Sequence, residues 1–164
     1  MPTAKDMIKG SYDMATMIVD LYTKDLGDED LKAIPIEGMN AIGWQLGHLI
    51  CSERGIVESL RPGSSPPLPE GFAEAHGKEK GHADGVHGLR TADEYRDLCA
   101  KQRAATRKVL DELTDADLDK PTEGNMASFA PTGAAMISLP AHHMLMHLGQ
   151  FVAVRRHLGK PIAM

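Results

Sequence analysis

The chain has 164 residues with 42% hydrophobic content, enough for one core, so a single domain over residues 1–164 is expected. Aromatics make up only 4%, which leaves the packing to aliphatic side chains and ten Met. A net charge of −5 without a basic stripe argues against nucleic acid as a partner, and no apolar run approaches the ~18–20 residues that span a bilayer.

The first predicted helix runs from about Thr3 to Asp25. Met7, Ile8, Tyr12, Ala15, Ile18, Val19 and Tyr22 recur at three- and four-residue spacing, which makes one apolar face. No apolar stretch follows the first charged residues, so no signal peptide is expected and the location read from sequence is cytoplasmic. A second helix is expected from Asn40, read as its N-cap, to about Leu60, where Arg61, Pro62 and Gly63 stop it. Pro62 to Arg90 is rich in Gly and Pro and reads as a long irregular connection. The third helix opens on Thr91 with Glu94 three residues later, a capping-box pattern. Tyr95, Leu98, Cys99, Gln102, Ala105, Val109 and Leu113 mark its inner face. A second loop, about Thr114 to Pro131, leads to the last helix, which ends at Gly159. Pro140 either kinks this helix or starts its regular part.

These elements predict an all-α, four-helix bundle. The connection between the second and third helices is long enough to cross the full bundle, which would leave those two helices parallel. Cys51 and Cys99 fall within helical patterns and read as free thiols of a reducing compartment.

Three histidines carry the chemistry. His143 and His147 stand four apart in a helical segment, on one face and one turn from each other. His48 lies in another apolar helical segment, Ala41 to Cys51. Buried together, neutral imidazoles gain little unless they share an ion, and three of them match the ligand count of a catalytic zinc-type site. Met144 stands where a zincin has its Glu, so metalloprotease chemistry lacks its base. His142 points about 100° away from His143 and reads as a residue outside the trio. His76, His82 and His87 fall in the Gly-rich connection, where a solvated loop is the simpler reading and a second chelating cluster the alternative. Cys51 reads as a small core residue. Glu53 and Arg54 read equally as pocket groups or surface charges. Gln150 is a candidate acceptor for a ligand histidine, and Gln102 and Thr106 are candidates to line a pocket.

His48 within the segment from Trp44 to Leu49 resembles the DinB/YfiT-like superfamily. So does His143–His147–Gly149–Gln150 followed by Val154, Arg155, Arg156, Leu158, Gly159, Lys160 and Pro161. The match is close over the second and fourth helices and is one of pattern over the first and third. The position of Leu148 departs from the residue common in that family. The resemblance implies an up-down-down-up bundle and a divalent ion, Zn or Ni first and Fe next, held by His48, His143 and His147. It also implies a metal-dependent enzyme acting on a small molecule. Relatives of this kind include S-transferases that use bacillithiol and a mycothiol-dependent maleylpyruvate isomerase, so transfer of a low-molecular-weight thiol to an electrophile is the expected reaction. A metal-binding or stress-related protein without turnover, and a bundle whose histidines are only core residues, are the alternatives. A homodimer is a further expectation, since exposed apolar helix faces can pair. No residue can be named from sequence as the general base.

Overall fold

The computed structural model describes residues 1–81 and 86–162. These residues form α1 (Ala4–Thr23), α2 (Ile42–Leu60), α3 (Phe72–Ala75), α4 (Ala92–Glu112), α5 (Asp115–Asp119) and α6 (Gly133–His157). Among the described residues no strand forms, and no helix is long and apolar enough to cross a membrane. The four long helices make the bundle.

Local chemistry sets the helix ends. Thr3, Thr91 and Thr114 each accept from the backbone three residues on, and Asp6, Glu94 and Asp117 bond back to the cap. Each such box satisfies two N–H groups that a helix start leaves orphaned. At α2 the sequence expectation is corrected. Ala41, not Asn40, is the N-cap, and it supplies no side-chain bond. Asn40 instead gives its carbonyl to the Gln45 amide, 2.7 Å away. α6 runs unbroken through Pro140, so the regular helix does not begin there. Gly159, at φ +66, closes the last turn in the left-handed region that favours glycine.

Ion pairs and contacts give each helix its direction. Asp20 meets Arg103, Asp13 meets Arg107 and Lys9 meets Asp111, so α1 and α4 run antiparallel. Ser11 and Ala141 line one small cleft, and Arg155 donates to the Tyr22 carbonyl at 2.8 Å, so α1 and α6 run together. Gln45 meets His147 while Ile56 packs with Met136 and Leu139, which makes α2 and α6 antiparallel. Leu46 lies near Tyr95 and Glu53 bonds Thr106, so α2 and α4 point the same way.

The core lies where the four long helices converge, around Tyr12, Val19, Ile42, Leu110, Ile137 and Phe151. The chain between α2 and α4 is less irregular than its Gly and Pro content predicts. Phe72, 1% exposed, anchors the short α3 against the core and draws this part of the chain onto the bundle. Apolar burial of one Phe, about 1.5–3 kcal/mol, is enough to hold such a turn in place. Arg155 sits in the last turn of α6, where a cation ordinarily faces the helix dipole in solvent, yet it is buried. It is 2% exposed and bonds Asp25 through two nitrogens, tying the end of α6 to the end of α1.

Candidate metal centre

α2 and α6 cross so that His48 meets His143 and His147. One ring nitrogen from each of the three lies within 4.8 Å of the others. The two Nε2 atoms of His143 and His147 are 3.1 Å apart. Tetrahedral nitrogen ligands at ~2.0–2.1 Å from an ion sit about 3.3–3.4 Å from each other, so the spacing suits one shared ion.

The second nitrogen of two rings is already committed. His147 Nδ1 lies 2.8 Å from Gln45 Oε1, an acceptor, so Nδ1 carries the proton and Nε2 keeps its lone pair. His48 Nδ1 faces the His76 carbonyl at 3.4 Å, which selects the same tautomer. The His48 ring also stacks on Trp44, with centroids 4.9 Å apart and planes 6° from parallel. These contacts fix two of the three rings before any ligand arrives.

Burial sets the charge of the trio. It holds the His147 imidazole down at about 3 and that of His143 at about 4, and the neighbouring histidines add to the effect. His48 is lowered too, chiefly by burial. Three neutral imidazoles at physiological pH are the form that binds metal. The cluster is compatible with a divalent metal site.

Other sequence candidates fall elsewhere. His142 is exposed, as its angle on the helix requires. Cys51 is outside the cluster, and burial raises its thiol to about 11, which makes it a poor ligand as well as a poor nucleophile. Gln150 does not serve as the acceptor; Gln45, on the opposing helix, does. His82 lies outside the described residues, and His87 is exposed.

His76 corrects the expectation of a solvated loop. It is 1% exposed, with Nδ1 2.7 Å from the Phe72 carbonyl and Nε2 2.7 Å from the Tyr95 hydroxyl. Its ring fills the space over Gly47, where a Cβ would come within 2.0 Å of it. Gly47 next to His48 is thus the sequence signal that something packs against that turn. His76 positions His48 through its carbonyl.

Glu53 is neither a surface charge nor part of the trio. It is 6% exposed and accepts from the Tyr12 and Thr106 hydroxyls. Burial pushes its carboxyl above the usual range. Thr106 therefore serves Glu53. Gln102 is buried with its side-chain Nε2 3.3 Å from the Ser65 hydroxyl and its side-chain Oε1 without a hydrogen-bond partner among the described residues. A cavity of about 530 Å³ opens beside His143, between α2, α6 and the chain at Met126 and Phe129.

The sequence matches the family model of the DinB superfamily over residues 12–151, a span that contains all three histidines. No curated protein and no solved structure matches it. The chain belongs to the DinB superfamily.

Proposed function

We propose that this DinB-superfamily protein is a metal-dependent enzyme that joins a low-molecular-weight thiol to an electrophilic small molecule, with a divalent ion held by His48, His143 and His147. The observation that carries the reading is the trio itself: three neutral imidazoles, two of them locked by acceptors at Nδ1 with an unprotonated Nε2. Zinc or nickel is the ion this set favours, since imidazole suits both, and iron follows. Such an ion, when bound, lowers the pKa of a thiol beside it and so supplies a thiolate at neutral pH.

The chain's own part is to hold and to exclude. Gln45 and the His76 carbonyl keep two rings in one tautomer. Trp44 covers one face of His48 and limits water there. In the reaction proposed, the thiolate sulfur supplies the electron pair of the new S–C bond, and the leaving group departs from that carbon with its own pair. Three protein ligands leave a fourth position for an incoming group.

The test is elemental analysis of protein purified without a His tag, followed by a screen of thiols against electrophiles. The expected result is one divalent ion per chain and turnover that stops when the ion is removed. Metal without thiol-dependent turnover would make it a binding protein, and absence of metal after loading with zinc or nickel would reject the centre.

A further inference from the structure

We propose that the groove between α2 and α6 binds an uncharged, apolar small molecule, an aromatic or aliphatic body whose reactive end lies at His143. The inference rests on the proposed reaction only for which end reacts, and names the class of its electrophile.

The lining decides the chemistry. Among the described residues no Lys, Arg, Asp or Glu borders the groove; its polar lining is Ser52, Ser59, His142 and His143, and Ile56, Leu139, Met136, Met126, Phe129 and Met146 make most of its wall. Away from the histidine end, a buried charge would find no partner, so an ionised group along this wall is disfavoured by its own desolvation. The polar bacillithiol and mycothiol type of thiol does not fit such a wall, whereas an apolar electrophile does. The volume of about 530 Å³ is in the range of sites that hold small organic molecules. Three Met in the wall adapt to ligands of different outline.

The geometry orients the occupant. Ser52 and His143 mark one end, Ser59 and Met136 the other. Seven helical residues separate Ser52 from Ser59, about 10 Å along α2. Phe129, 73% exposed, and Met146, 61% exposed, stand at the rim, where a bound apolar molecule would cover them. At Gly55, which lines the groove, a Cβ would meet no atom within 4 Å, so a side chain placed there has open space to enter.

The probe is N-phenyl-1-naphthylamine, a neutral fluorophore that brightens in apolar surroundings, titrated into the full chain with and without zinc. The expected result is saturable binding of one probe per chain. Without zinc, its anionic relative 1-anilinonaphthalene-8-sulfonate should bind at least about tenfold more weakly. Gly55→Phe puts a ring into the groove and should weaken the neutral probe at least about tenfold while zinc uptake stays whole. Unchanged probe affinity in a folded Gly55→Phe protein overturns the proposal. Should that variant fail to fold, Phe129→Asp at the exposed rim decides: a loss of about threefold or more supports the groove, and no loss overturns it. Probe release as protein concentration rises, matched by a dimer in sedimentation, also overturns it, since the groove would then be a contact between copies. Probe binding without zinc uptake leaves the groove standing and rejects the metal reading alone. Zinc uptake without probe binding does the reverse.

Discussion

At the scale of single residues, the centre depends on which face of α6 a histidine occupies. His147 and His142 are five apart, about 140° around the helix, and only His147 joins the cluster. His147→Ala is expected to abolish metal uptake and His142→Ala to leave it intact, read by metal per chain after dialysis. Equal loss in both would place the ligands on another face. Glu53 gives a different test, of stability against pH. Its folded pKa is raised above the ordinary carboxylate value by burial. A group of this kind adds stability fully below its unfolded pKa, and that contribution is lost as pH rises through the folded value. Glu53→Gln keeps an acceptor for Tyr12 and Thr106 and removes the proton. Urea midpoints for the variant should gain on the wild type as pH rises above about 4.5, with a slope of at most about 1.4 kcal/mol per pH unit. A difference that stays flat with pH would mean Glu53 titrates normally. The burial of Glu53 was readable in advance. It stands three or four residues from Leu49, Ile50, Ile56 and Val57, which puts it on the inner face. That position decides against the surface charge that its residue type alone leaves open beside a pocket group.

At the scale of elements, α2 carries two glycines with opposite surroundings. In a helix, Gly→Ala ordinarily gains about 1 kcal/mol. At Gly55 the space is open, so Gly55→Ala should realise that gain. At Gly47 the new Cβ would collide with the His76 ring, and overpacking of about 1–3 kcal/mol should outweigh the gain. The same change would push the His76 carbonyl away from His48, so zinc affinity should fall with stability. Chemical denaturation and a zinc titration of both variants check the pair. Opposite signs are expected, and equal shifts would mean that His76 does not pack on α2. What sequence reveals of these elements is their local part. Apolar repeats and the Thr91–Glu94 cap are visible because each lies within a few residues. The docking of α3 is not, because Phe72 and His76 meet α2 and α4 across long stretches of chain.

At the scale of the whole molecule, the trio joins two helices whose histidines are 95 residues or more apart in sequence, from His48 to His143. The spacing within α6 announces two ligands. The third, His48, is visible through its apolar helical segment and the resemblance that segment carries, whereas the acceptor Gln45 emerges only from how α2 crosses α6, which no local pattern encodes. An ion bound at that crossing should stabilise the fold by mass action. At a free zinc concentration of 100 times the Kd the gain is about 2.7 kcal/mol, or roughly 5–11 °C in Tm for a chain of this size. Calorimetry with zinc and with a chelator measures it, and no difference would mean the ion does not bind the folded state. Because α6 is also the partner of α1, through Arg155 at its far end, the making of α6 completes both the bundle and the histidine cluster. Until α6 is made, the nascent chain has one imidazole of the three and no closed wall around it, so an ion held by the trio would be selected only after that point. A chain stopped after residue 131 should release zinc on dialysis, and retention by that fragment would show that α2 alone can recruit the ion.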